Sequence, residues 1–338
     1  MHDLPDPHSA PIAQLTRRGP HPVGVTTLEL PDPEHAGRRL PTDVWYPARS
    51  PGELEADHPF GRPHAAHVDA PPAEGPRPLV AFSHGSSGLR RQSTFLTTHL
   101  ASWGCVVVAP DHTGNTFFEM LKIESEDERR RVHLESCRNR PRDLDNAIDA
   151  VLAGGHWPAV DPARIGALGH SFGGWTVCKM PARGRVRAVC GLAPASEPFV
   201  GRKAFEPGEL PFRGAQPVLL VAGIEDVLVD LETSVRPLFD RMAGPRALVG
   251  LRDADHFHFC DGIELLHGMH WQSPRPDQPR PTRPFGEVLD EERSHRSLCA
   301  VVTRFLLANL APDPTPGLDD LSDEALAAVD PALQRVDR

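Results

Sequence analysis

No apolar run in the 338-residue sequence is long enough to span a bilayer, so stable membrane insertion is not expected. The first residues, Met1-His2-Asp3-Leu4-Pro5, lack a basic stretch followed by an apolar one, so no secretory signal is read and a cytoplasmic location is the default expectation. The six cysteines (Cys105, Cys137, Cys178, Cys190, Cys260 and Cys299) form no Cys-x-x-Cys pair, which predicts reduced, mostly buried thiols. Lysine is nearly absent and arginine supplies almost all the positive charge, a compositional bias rather than a functional sign. Acidic residues still outnumber basic ones, 46 to 36, and the net charge of −10 argues against nucleic acid as the principal partner. With 39% hydrophobic and 24% charged residues the chain has the proportions of a globular protein, and its length can bury a large core.

Residues 1–22 are rich in Pro and His and are expected as a surface arm. Val23 to Leu30 and Arg39 to Tyr46 read as two leading strands, and 48 to 77 as a long surface loop. From Pro78 the pattern changes. Leu79-Val80-Ala81-Phe82 and Cys105-Val106-Val107-Val108-Ala109 are continuous apolar runs of the kind buried on both faces of a parallel sheet. The helical segment Gln92 to Trp103 between them completes a βαβ unit, which specifies parallel strands. Further strands are expected at Arg164 to Leu168, Val186 to Leu192, Val218 to Ala222 and Ala247 to Leu251. Helices are expected over Asp143 to Leu152, Leu231 to Met242 and Ser294 to Asn309. Residues 117–139 read as a solvated helix, with a cap over a site as the functional alternative. Residues 271–290 form a Pro- and Arg-rich insertion, and 311–338 an acidic tail with a short helical piece near Leu321 to Val329. The fold class is α/β, one domain over 23–310, with a mostly parallel central sheet, flanking helices and long surface loops.

The chemistry centres on Gly169-His170-Ser171-Phe172-Gly173-Gly174, which follows an apolar strand and precedes a helix-compatible segment. Strand, Gly-x-Ser-x-Gly, helix is a nucleophile elbow, in which a tight turn leaves the serine hydroxyl exposed at the end of a sheet. A serine hydroxyl needs a base within hydrogen-bond reach, itself oriented by a carboxylate. In this architecture the acid and then the histidine follow the serine, each at the end of a later strand. Asp226, in Ala222-Gly223-Ile224-Glu225-Asp226, and His256, in Asp253-Ala254-Asp255-His256-Phe257, fill both slots in order. Two backbone N–H groups should form the oxyanion hole: that of Phe172, after the nucleophile, and that of Ser86, in the loop Ser83-His84-Gly85-Ser86-Ser87-Gly88. His84 is read as anchoring that loop.

Pro78 to Asp111, with Phe82-Ser83-His84-Gly85 and Leu100-Ala101-Ser102-Trp103-Gly104, together with the elbow, resembles the platelet-activating factor acetylhydrolase and dienelactone-hydrolase-like branch of the α/β-hydrolases. Pro22 to Val25 and Asp43 to Ala48 look like the N-terminal strands of the same group. The resemblance implies a cofactor-free serine esterase acting on a small-molecule ester, with the Ser86 and Phe172 amides matching the family's oxyanion hole. Two departures matter. The acetylhydrolases place their acid after the strand that follows the nucleophile helix, where this chain has Leu192 to Glu197 and no Asp, so Glu197 is the reserve for Asp226. Dienelactone hydrolases proper use Cys where this chain has Ser171, which argues against ring opening of dienelactones.

His256 matches the family's Ala-Asp-His-Phe; His258 would point to the opposite side of an extended segment, and Asp255 adjoins His256 too closely to orient it. His267, His270 and Cys260 raise the question of zinc, but no fixed zinc spacing is met and no metal site is assigned. Trp103, Trp175, Phe117 and Phe118 could line an acyl or leaving-group pocket or pack in the core. The expectation is a serine carboxylesterase acting on short acyl groups through Ser171, His256 and Asp226. Amide or peptide hydrolysis by the same triad, and a non-catalytic binding protein on this fold, are the alternatives.

Overall fold

The structure, a computed structural model, describes residues 10–53, 65–201, 204–206, 209, 216–276, 278–315 and 317–337. Its strands are β1 (Val23–Pro31), β2 (Arg39–Pro47), β3 (His67–Val68), β4 (Arg77–Ser83), β5 (Val106–Pro110), β6 (Val160–His170), β7 (Ala188–Leu192), β8 (Val218–Gly223), β9 (Arg246–Leu251) and β10 (Leu333–Arg335). They form one sheet in the order β10-β9-β8-β7-β6-β4-β5-β2-β1-β3. The six strands from β5 through β4 to β9 run parallel, and the continuous burial of β5, β7 and β8 is why they read as unbroken apolar runs. β2 joins them antiparallel to β5, and β1 pairs antiparallel with β2.

The helices are α1 (Thr94–Ser102), α2 (Phe117–Met120), α3 (Glu126–Leu152), α4 (Phe172–Cys178), α5 (Glu197–Val200), α6 (Arg236–Asp240), α7 (Ile263–Gln272), α8 (Glu291–Asn309) and α9 (Asp323–Val329). α1 packs with α8 and α3 with α4, covering the sheet. The chain builds β5 on one side of β4 and β6 on the other, so strand order reverses at β4. Open α/β sheets form their sites at the carboxyl ends of strands at such a switch point. Here Ser83, ending β4, lies beside Gly169, near the end of β6.

Several expectations need correction. Residues 10–22 are not a free arm: a 3-10 turn over Ile12–Thr16 buries Ile12 and Leu15 against α8. The rest of the expected arm, residues 1–9, lies outside the described residues. The two helical segments expected on either side of 140 are one 27-residue helix, α3, which runs through Pro141. Proline removes one backbone bond, but burial of Leu144, Ala147, Ile148 and Val151 at one end and a Ser125 cap with Glu126, Asp127 and Glu128 at the other keep the helix whole. The tail is not merely appended: β10 pairs antiparallel with β9 and extends the sheet. The expected loop over 48–77 contains β3, its residues 54–64 lying outside the described residues. α7 was not expected.

Five of the six cysteines are buried, and all six are free thiols, as their scatter predicts. Among the described residues no helix is long and apolar enough to cross a membrane.

Candidate active site

β6 delivers the chain into Ser171 at φ 56° and ψ −118°, and α4 begins at the next residue. A non-glycine residue at positive φ is strained and persists only where its surroundings hold it. Here the Ser171 N–H donates to Leu192 O (2.8 Å), while its carbonyl accepts from Trp175 (3.1 Å) and Ala195 (2.9 Å). The flanking glycines answer to space rather than to φ. A Cβ on Gly169 would collide with the Gly173 carbonyl, and one on Gly173 with the carbonyls of Ser83 and His84. The helix thus sits directly on the loop that leaves β4.

The three residues expected to cooperate come together. His256 opens a 3-10 turn, His256–Phe259, capped by Asp255, whose carboxylate accepts from the Phe257 N–H. His256 Nε2 lies 3.0 Å from Ser171 Oγ and Nδ1 lies 2.7 Å from Asp226 Oδ2. Asp226 is fully buried at the end of β8, and its other oxygen accepts from the amides of Leu228 and Val229, both at 2.8 Å. With Nδ1–H held by the carboxylate, Nε2 is left as the acceptor for the serine proton. Ser171 and His256 are 8% and 7% exposed, open enough to meet a small molecule and closed enough to limit water.

Glu197, the reserve acid, pairs with Arg241 near the surface and takes no part in this cluster. Asp255 turns away from His256 and meets His258 and His267 instead. Burial alone would raise its pKa, but the two imidazoles outweigh that and hold the carboxyl well below the ordinary range. His258 also donates through Nε2 to Leu289 O (2.8 Å), so the turn places it in the scaffold. Among the described residues no group of three or more His, Cys, Asp or Glu side chains is arranged to hold a metal ion.

The loop after β4 is pinned at both ends of one residue. Gly85 N–H donates to Gln92 Oε1 (2.9 Å), and Gly85 O accepts from His84 Nδ1 (2.7 Å), Arg140 Nη2 (2.9 Å) and the Gly88 amide (3.2 Å). His84 Nε2 in turn accepts from the His112 amide (3.0 Å), the anchoring role expected for it. Burial, then the Arg140 charge, pushes His84 well below the usual imidazole value, so it is neutral. Gln92 also donates to His170 Nδ1 (2.9 Å), tying this loop to the elbow. The amides of Ser86 and Phe172 have no acceptor among the described residues.

Beside Ser171 lies a cavity of about 100 Å³, walled by Ser86, Leu89, Phe117, Phe257, Cys260 and Leu266. Of the four aromatics singled out in the sequence, only Phe117 reaches it. Trp103 and Trp175 are buried, their indoles bonded to Arg17 O (3.0 Å) and Ala204 O (2.8 Å), and Phe118 is half exposed.

The sequence reading missed Gln92, Arg140 and Arg280. Arg140 had a signal: it falls one turn before Leu144 on the apolar face of α3, where a charge is out of place. Arg280 lies in the Pro- and Arg-rich insertion and clasps the acid loop, donating to Ile224 O (2.8 Å), Asp226 O (3.2 Å) and the Asp230 carboxylate (2.7 Å). No local pattern marks it.

Comparison with known proteins agrees with this architecture. A ferulic acid esterase from Streptomyces cinnamoneus has the same fold, with a TM-score of 0.69 at 24% identity over 97% of this chain and 98% of its own. Lipase 1 of Moraxella sp. (strain TA144) is 28% identical over 159 residues, which are 47% of this chain and 41% of the lipase. The match therefore spans less than half of that relative's length. The model of the dienelactone hydrolase family matches residues 65–247, more than half of the chain, from before β4 into β9. With that match, and with an α/β-hydrolase fold carrying a serine elbow, the chain belongs to the dienelactone hydrolase family.

Proposed function

We propose that the protein is a serine carboxylesterase for short acyl groups. The observation that carries this is the continuous hydrogen-bond path Asp226–His256–Ser171, 2.7 and 3.0 Å, ending beside the cavity lined by the Ser86 loop. In this reading His256 takes the Ser171 proton as Oγ attacks the ester carbonyl. The amides of Ser86 and Phe172 hold the oxyanion, and Asp226 stabilises the imidazolium. His256 then returns the proton to the leaving alcohol, and water repeats the sequence in reverse to free the acid. Each step uses groups of this chain alone. An esterase and a lipase among the related proteins support the reaction class.

Cavity size supports the short-acyl part. The cavity beside Ser171 holds about 100 Å³, which favours a short acyl group over a long one. Rates on p-nitrophenyl esters of increasing chain length test this. We expect the acetate or butyrate to have the highest kcat/KM, the decanoate to be poor, and Ser171→Ala to hydrolyse neither. A decanoate preference would overturn the acyl assignment, and equal rates in Ser171→Ala would overturn the enzyme reading itself.

A further inference from the structure

Arg140 lies behind the Ser86 loop and is the one fully buried arginine among the described residues. Its guanidinium donates to three neutral acceptors: His84 O (2.7 Å), Gly85 O (2.9 Å) and Asn115 Oδ1 (2.7 Å). The same group lies over the Phe172 ring, 4.4 Å from its centroid. Among the described residues no carboxylate comes within salt-bridge distance of it. Asp143, which Arg38 and His112 engage, acts on it through space and not by contact. Burial lowers the guanidinium pKa to about 9, which still leaves it charged at neutral pH.

A buried charge with no carboxylate in contact is costly, several kcal/mol even after relaxation. Its position suggests what offsets that cost. Across a trans peptide the N–H points opposite to the C=O. Arg140, His84 Nδ1 and the Gly88 amide all draw the Gly85 carbonyl to one side, so the Ser86 N–H of the same peptide is turned the other way, toward the cavity that holds Ser171. A cation on the carbonyl oxygen also polarises that peptide and strengthens its N–H as a donor. On its other side the guanidinium packs on Phe172, whose amide is the second donor in the proposed mechanism.

We propose that Arg140 is the positioning residue of the oxyanion hole: it fixes the direction of the Ser86 amide, seats Phe172, and supplies a positive charge behind both amides that favours the oxyanion. It touches no substrate atom and acts through the two peptides. This rests on the reading of Ser171 as the acyl acceptor. It also predicts that negative charge brought to Arg140 before the reaction competes with the transition state.

Asn115→Asp tests that prediction, because it puts a carboxylate of nearly the same shape on the guanidinium and should not harm folding. We expect kcat on p-nitrophenyl acetate to fall on the order of tenfold, less than the 10²–10³ lost when a donor is removed outright. KM should stay within about twofold, with Tm no lower than wild type, because ground-state binding does not use the oxyanion. Labelling of Ser171 by a fluorophosphonate, whose phosphoryl oxygen needs the same two amides, should slow in parallel. Unchanged kcat and labelling in folded Asn115→Asp would overturn the proposal. A second pair guards against misfolding: Arg140→Lys should label faster than Arg140→Met, and equal rates in the folded fractions contradict the charge role. If wild type labels but hydrolyses no ester, the ester reading fails alone, and the labelling comparison still decides on Arg140.

Discussion

The carboxylate that orients His256 is the residue-scale question, because two candidates stood within the sequence. Asp226 is fully buried, meets Nδ1 at 2.7 Å and takes two amides on its other oxygen; Glu197 sits half-buried at the start of α5, paired with Arg241. We expect Asp226→Asn to lower kcat on the order of 10⁴-fold, as when an amide presents the wrong tautomer to the histidine. Glu197→Gln should stay within about twofold of wild type. Steady-state kinetics on one ester checks both, and the reverse order of effects would move the acid to Glu197. The three residues of the hydrogen-bonded path were legible because each lies just past the end of a buried strand, and strand ends are marked by the change from apolar to polar residues. Arg140, Gln92 and Arg280 were not, since their roles depend on backbone carbonyls, amides and rings brought together from distant parts of the chain.

At the scale of elements, the site depends on how closely α4 lies on the loop after β4. Gly173 is the contact point, and Gly173→Ala would drive a methyl group into the carbonyls of Ser83 and His84. Neither is the far end of a flexible side chain, so relief requires moving the helix or the Ser86 loop. We expect a loss of about 1–3 kcal/mol in urea unfolding, the range for overpacked interiors, with activity falling further than stability alone explains. Wild-type stability in this variant would contradict the close packing. The parallel strands were readable from their unbroken apolar runs. Among the elements that were not, three show the physical reason. α3 hid behind Pro141, which usually ends a helix and here is outweighed by packing. α7 starts from Gly262 at positive φ with no side-chain cap to announce it. β10 has three residues, too few for a period, and exists because the edge of β9 offers it partners.

For the whole molecule, an unusual number of histidines sit inside uncharged. Burial first, then neighbouring charge, holds His84, His112 and His170 well below the ordinary imidazole value; Arg140 acts on the first two and His256 on the third. Burial likewise lowers His99 to about 3. In the unfolded chain each would protonate near pH ~6.5, while in the folded chain it does not. Unfolding therefore takes up protons as pH falls, and the stability these four contribute is present above about pH 6.5 and lost below it. His267 has the opposite sign. Its bond to Asp255 raises its pKa, so its contribution is complete below about pH 6.5 and fades as pH rises through the raised value. His21, His133, His270 and His295 are also shifted down, chiefly by burial, so eight histidines against one decide the direction. Unfolding free energy should drop between about pH 7 and 5.5 with a slope above the ~1.4 kcal/mol per pH unit of a single proton. Denaturant titrations across that range check it, and a flat or rising stability toward acid would contradict the burial of these rings as neutral groups.

The central claim is that Ser171 becomes acylated, and the most direct test is to catch it. Wild-type protein mixed with p-nitrophenyl acetate, quenched in acid during turnover and analysed by intact and peptide mass spectrometry, should carry one acetyl group on the peptide containing Ser171. The acetyl group should accumulate in a variant slowed at deacylation and be missing from Ser171→Ala. Ester hydrolysis without acetyl on Ser171, or with acetyl on another residue, would contradict the account.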